Sequence, residues 1–182
     1  MEEVFLKAEE EFLNNNNFAI ATVIKTSGST PQKPGAKLLV KNDKTAIGTL
    51  GGGCVEGDIW FAASEMLKNK TDSEMKEYEL NEELAAEDGL VCGGTMFFLL
   101  DNINKSESLK KYNQEIISAY NGGSSVSLAT LVKKPITSLA KIGDKILIRE
   151  NKSSSGTLGD EILDNLARKT SDEILPLGRN KY

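Results

Sequence analysis

The chain has 182 residues, 39% of them hydrophobic and 27% charged, with a net charge of −5 and a pI near 5.0. That balance describes a globular chain and argues against a nucleic-acid partner, whose backbone is gripped by clustered Lys and Arg. The complete lack of histidine excludes Ser-His-Asp and Cys-His catalysis and zinc sites built on imidazole. Two cysteines fall short of a closed four-thiolate zinc site and of a disulfide scaffold, which fits a reducing compartment. The start Met1-Glu2-Glu3 is acidic where a secretory signal is basic, and no apolar run reaches the roughly 20 residues of a membrane span. A cytoplasmic location is expected, with no membrane and no nucleic-acid partner.

Helical spacing over residues 3–13 places Val4, Phe5, Ala8, Phe12 and Leu13 on one side, before the run Asn14–Asn17. Residues 18–26 read as a strand, and 37–41 with 45–50 as a hairpin about Asn42-Asp43. A helix is predicted from Cys54 to Lys68, with Val55, Ile59, Ala62, Ala63, Met66 and Leu67 inward. Strands at 76–80 and 95–101 follow, then a linker from Asn102 to Glu107. Ser106 is placed to cap a helix bearing Leu109, Tyr112, Ile116, Ile117 and Tyr120, which Gly122-Gly123 stops. Strands at 125–132, 145–149 and 155–158 and a helix at 160–169 complete the chain. The expected class is α/β, a mixed sheet with helices in a single domain over 1–182.

The chain resembles itself. Ala21-Thr22-Val23-Ile24-Lys25 returns as Ala129-Thr130-Leu131-Val132-Lys133, Gly35–Val40 as Gly143–Ile148, and Gly48-Thr49-Leu50-Gly51 as Gly156-Thr157-Leu158-Gly159. All three share the offset that separates Ala21 from Ala129. Three ungapped matches in one register predict a tandem strand-hairpin-helix repeat, with units 18–59 and 126–167.

The copies differ in two places. Gly28-Ser29-Thr30-Pro31 stands against Ile136-Thr137-Ser138-Leu139. Gly51-Gly52-Gly53-Cys54-Val55-Glu56-Gly57 stands against Gly159-Asp160-Glu161-Ile162-Leu163-Asp164-Asn165. The second version is an ordinary acidic helix start, and Ile162 is expected to serve stability. Three glycines in a row carry an entropic cost, which suggests that bare backbone must approach something closely. They run into a helix N-terminus, where free N–H groups and the dipole favour an anion, and where a thiol gains thiolate character. The bland alternative is a tight turn beside a small buried Cys. Cys92 also lies among glycines, in Gly89-Leu90-Val91-Cys92-Gly93-Gly94. If the sheet brings the two turns together, backbone amides and both thiols share one cleft; otherwise they are unrelated turns or a disulfide. Glu56 and Asp58 could each do acid–base work, but acidic residues on a first helical turn usually complement the dipole, the reading favoured for Asp58 and evenly balanced for Glu56.

At these residues the sequence resembles the XdhC/CoxI family, accessory factors of xanthine dehydrogenase and related molybdenum hydroxylases. The resemblance runs through Ala21–Ile24, Gly28–Pro31, Pro34–Lys37, Ile47–Asp58 and Asp88–Gly94. It implies transient binding of a molybdenum cofactor of the molybdopterin type, its protection, and its delivery after sulfuration. The implied partners are an apo molybdenum hydroxylase of the xanthine, aldehyde or CO dehydrogenase type, a cysteine desulfurase, and a second copy forming a homodimer. The chain would then be a cofactor chaperone or insertion factor rather than an enzyme. The implied cofactor-binding residues are Gly51, Gly52, Gly53, Cys54, Glu56, Cys92, Gly93 and Gly94. Many members carry a further Rossmann domain; no Gly-x-Gly-x-x-Gly in a strand-to-helix setting occurs here, so the resemblance is to the family's N-terminal region. Two other readings stand beside it. A thiol-dependent sulfur-transfer or redox enzyme would turn over substrate at Cys54, and a cofactor-free interaction module would dispense with both cysteines.

Overall fold

A computed structural model of the chain describes residues 1–80, 93–103, 106–134 and 139–178. Helix α1 (Glu2–Leu13) leads into β1 (Phe18–Gly28), β2 (Lys37–Lys41) and β3 (Ala46–Gly48). Then come α2 (Gly53–Asn69), β4 (Glu74–Glu79) and β5 (Gly94–Ile103). Helix α3 (Glu107–Tyr120) is followed by β6 (Val126–Thr130), β7 (Lys145–Arg149), β8 (Ser154–Gly156), α4 (Glu161–Ile174) and a 3₁₀ turn at Leu175–Leu177. No described helix is long and apolar enough to cross a membrane.

The α/β class holds, but the strands form two sheets rather than one mixed sheet. Their orders are β3-β2-β1-β5-β4 and β6-β7-β8, and every described pair is antiparallel. Short connections join β2 to β3 and β7 to β8, and antiparallel pairing is what such connections permit. The linker expected from Asn102 begins inside β5 instead, where Asn102 and Ile103 pair with Ala19 and Phe18.

Alternation along β1 sorts the first sheet's two faces. Ala19, Ala21 and Val23, with Leu38, Val40, Met96, Phe98 and Leu100, pack against Val55, Ile59, Ala63 and Met66 of α2. On the opposite face Phe18 and Leu39 pack against Val4 and Ala8 of α1. Leu13, expected on that same side of α1, is exposed. Its place in the sequence puts it half a turn round the helix from Val4, at about 100° per residue. A smaller core joins Ile146, Ile148, Leu131 and Leu158 of the second sheet to Leu163 and Ala167 of α4. Ile162 is 79% exposed and so contributes little to that core, because it stands one position before the inward-facing Leu163.

Equivalent strand pairings and hydrogen bonds recur at the offset of the sequence matches. Phe18 pairs with Lys41 and Val126 with Arg149; Leu38 pairs with Gly48 and Ile146 with Gly156. Val23 N–H donates to Ala36 O as Leu131 N–H does to Asp144 O, and Thr49 N–H donates to Lys37 O as Thr157 N–H does to Lys145 O. Both hairpins turn through a lysine at φ 67°, Lys44 and Lys152.

The two sheets meet at a buried polar cluster. Lys145 Nζ lies 2.5 Å from Asp101 Oδ2 and donates to Gly143 O, while Ser73 Oγ donates to Asp101 Oδ1 at 2.9 Å. Lys37, the counterpart of Lys145 in the first segment, donates to Thr22 Oγ1 at 2.9 Å. Burial pushes the Lys37 ammonium down from 10.5 to about 8; the Asp101 charge opposes this and Lys145 adds to it. Below pH 8 both folded and unfolded chains hold this proton, and the folded state bears the cost of burying it. Between about pH 8 and 10.5 the unfolded chain keeps a proton the folded chain has lost, so stability rises with pH across that window. The difference corresponds to about 3 kcal/mol. Urea unfolding of the wild type should show that rise and Lys37→Met should lack it; a flat wild-type curve would contradict the assignment.

Candidate functional site

The turn entering α2 is built from Gly51, Gly52 and Gly53, with φ of 111°, 74° and 66°. Side chains rarely adopt such values, and three in succession explain the glycine run. The three residues nevertheless have different surroundings. A Cβ on Gly51 would collide with Pro31 at 2.6 Å, whereas one on Gly52 or Gly53 would meet nothing within 4 Å. Gly51 therefore lets the 28–31 loop pack closely, and Gly52 and Gly53 present bare backbone to open space. Cys54 follows them on the first turn of α2 and is exposed.

Gly93 and Gly94 lie at the other side of the same loop. A Cβ on Gly28 would come within 2.7 Å of Gly93 O, and one on Gly94 within 2.5 Å of Ser27 O and 2.6 Å of Ser29 O. The 28–31 loop is thus wedged between the two glycine segments, touching Gly51 through Pro31 and Gly93-Gly94 through its backbone. Cys92, named with them from the sequence, lies outside the described residues.

Glu56 has a different task from the one its place in the motif suggested. Its Oε2 accepts from Thr49 Oγ1 at 2.7 Å, Leu50 N–H at 2.7 Å and Gly52 N–H at 3.1 Å. Partial burial pulls its carboxyl upward, but these hydrogen bonds outweigh it and leave the group below the ordinary glutamate value. The carboxylate holds the turn shut. Asp164, its counterpart in the second segment, accepts from Leu158 N–H at 2.7 Å in the same way. Asp58, one helical turn after Cys54, accepts from the Tyr78 hydroxyl at 2.9 Å. Burial and that bond push Tyr78 up to about 12, with a smaller contribution from the nearby Cys54. Nothing in the sequence pointed to Tyr78, because β4 reads as a polar strand and its pairing with β5 alone brings the ring over α2.

The start of α4 shows what the start of α2 lacks. Asp160 is its N-cap, and Oδ1 accepts from Ile162 N–H at 2.8 Å and Leu163 N–H at 3.3 Å. The corresponding residue before α2 is Gly52, and no side chain caps that helix. The amides of Cys54 and Val55 take the places of the two that Asp160 satisfies. The pairing of Gly52 with Asp160 is visible in the sequence, but the capping bond is visible only in the fold. Among the described residues no cluster of three or more Cys, Asp or Glu could hold a metal ion.

Residues 13–79, which include α2 and the glycine turn, match the XdhC and CoxI family. A curated Bacillus subtilis protein, described as a probable subunit of xanthine dehydrogenase, is 27% identical over 161 residues, covering 86% of the chain and 44% of that protein. A crystal structure described as a xanthine dehydrogenase from Bacillus halodurans shares the fold, with a TM-score of 0.60 and 23% identity over 84% of this chain and 44% of that one. The chain therefore spans less than half the length of either relative.

Proposed function

We propose that the chain is an accessory factor for a xanthine dehydrogenase, binding a molybdenum cofactor of the molybdopterin type transiently at the turn before α2. The uncapped helix start carries this reading. Where the second segment spends a carboxylate on its first free amides, the first leaves the amides of Cys54 and Val55 for an anion from outside. Gly52 and Gly53 keep the approach clear, and an exposed thiol stands beside it.

The residues present suit that cofactor. When bound it supplies a phosphate, which suits helix-start amides, and a soft dithiolene-held metal, which suits a thiolate. Cys54, Gly52 and Gly53 are the groups that would face it. Gly51, Gly94 and Glu56 act one step back, setting the shape of the turn. Delivery would be to an apo molybdenum hydroxylase after sulfuration by a cysteine desulfurase, with the chain working as a homodimer. The similarity to the Bacillus subtilis protein supports the choice of client.

The test grafts the second segment's cap onto the first. Purified chain mixed with molybdopterin cofactor should retain it through desalting, read by absorbance and molybdenum analysis. Gly52→Asp brings a carboxylate beside the same amides at the cost of backbone strain at φ 74°, so it should melt below the wild type yet remain folded, and it should reduce retention at least tenfold. A folded Gly52→Asp protein that retains cofactor like the wild type would refute an anion site at this helix start.

A further inference from the structure

The open side of α2 continues well past the glycine turn. Cys54, Gly57, Asp58 and Phe61 recur at steps of three and four, so they share one face of the helix, and each is exposed. Ile59 and Ala63, on the other side, pack in the core. From Cys54 to Phe61 the face runs along about 10 Å of helix.

The fold explains neither Gly57 nor Phe61. Glycine is the poorest helix former after proline, yet Gly57 lies inside α2. Its φ is not positive and a Cβ there would meet nothing within 4 Å, so neither conformation nor packing calls for it. Phe61 is 61% exposed and leaves most of a large apolar ring in water. Long side chains on a helix lean toward the preceding turn, which for Phe61 is Gly57 and Asp58. An uncovered aromatic ring therefore stands beside bare backbone.

Asp58 completes the face. Tyr78, packed against the core on β4, donates to Oδ2 and so fixes the carboxylate from below. Oδ1 accepts from no group among the described residues. A carboxylate has about four acceptor positions, of which Tyr78 takes one. The second segment shows an ordinary helix surface at the same places. Asn165, Leu166 and Lys169 stand for Gly57, Asp58 and Phe61, and Asn165 Oδ1 accepts from Arg168 Nη1 at 2.9 Å.

We propose that this face of α2 binds a flat heteroaromatic ring with adjacent N–H donors, the 2-amino-4-oxo ring of a pterin. Phe61 stacks on the ring, Gly57 leaves room for it against the helix, and Asp58, held by Tyr78, accepts from its paired N–H groups. Stacking on an aromatic face suits any planar π system, and a carboxylate facing two parallel N–H donors makes the ring's orientation specific. The proposal rests on the cofactor reading above. The glycine turn and Cys54 take the phosphate and metal end, and the ring end falls to residues one and two helical turns further on.

The probe is plain 2-amino-4-oxopteridine, which carries neither phosphate nor metal, titrated into the full-length chain and followed by its own fluorescence. Saturable binding is expected. Phe61→Ala and Gly57→Asn, the latter taking the second segment's residue, should each weaken it about tenfold. Gly57→Ala should melt above the wild type, since the helix has no use for glycine there. Wild-type binding should fall as pH rises past loss of the ring's amide proton, and Asp58→Asn, already weaker, should lose most of that dependence. Cys54→Ser should bind the plain pterin like the wild type. Binding that ignores the changes at Phe61 and Gly57 overturns the proposal, as does tighter binding of guanosine or of an arginine amide, which would assign the face to another ligand. A wild type that retains the whole cofactor but does not bind the plain pterin would end this proposal and leave the cofactor turn standing.

Discussion

Asp101→Asn should destabilise the protein by roughly 3–5 kcal/mol, the cost of stripping the partner from a buried charge. The Lys145 and Asp101 side chains are 8% and 10% exposed, so solvent cannot replace what the substitution removes. Lys37 adds to the effect, because it lies near enough to feel the charges of both Asp101 and Lys145. Without the carboxylate, two ammonium groups share one desolvated region with no counter-charge. A loss of that size is a large fraction of the roughly 5–15 kcal/mol that holds an ordinary domain together. It should appear in urea unfolding as a lower midpoint with an unchanged slope. Asp101→Leu combined with Lys145→Met should recover most of it, since a buried pair replaced by apolar groups is often close to neutral. A loss under about 1 kcal/mol for Asp101→Asn would show that the cluster does not join the two sheets.

Many of the elements were legible in the sequence because their local signals were consistent with one another. Hydrophobic periodicity placed α2 and β7 within a residue or two, and Ser106 marked the start of α3 as its side chain does in the fold. What the sequence did not carry was pairing. Nothing local to Tyr78 or Asp101 says that one meets Asp58 and the other Lys145, since those contacts exist only after β4 and β5 join β1. The site was partly legible for the same reason. Gly52, Gly53 and Cys54 stand together at an open turn, and the glycine run announced it. Glu56 was grouped with them by adjacency, but its carboxylate faces back into the turn, a direction fixed by the amides of Leu50 and Gly52. Its likeness to Asp164 was the available signal, because a residue common to both segments belongs to their shared architecture. Ile162 misled in the other direction. An apolar residue on an acidic helix reads as core, but one position, about 100° of helix rotation, separates it from the inward-facing Leu163.

Cys54→Ser should abolish cofactor retention and leave thermal stability almost unchanged. The thiol is exposed on the first turn of α2, and substitutions at such positions usually stay within about 0.5 kcal/mol. Serine preserves the size of the side chain and the backbone amide of residue 54, so the anion-binding half of the proposed site survives. What disappears is the soft ligand, and a hydroxyl is a poor substitute toward a dithiolene-held metal. The change therefore separates the two halves of the site: loss of retention assigns binding to sulfur as well as to the amides. Ile162→Ser is the matched control at the corresponding position of α4. It is 79% exposed and so should also melt near the wild type, and it should keep full retention because Asp160 already occupies the amides of that helix. Melting and molybdenum retention measured side by side for both variants decide the matter. A Cys54→Ser protein that melts normally and holds cofactor at wild-type levels would remove the thiol from the mechanism, leaving Gly52, Gly53 and the helix amides as the whole of the site.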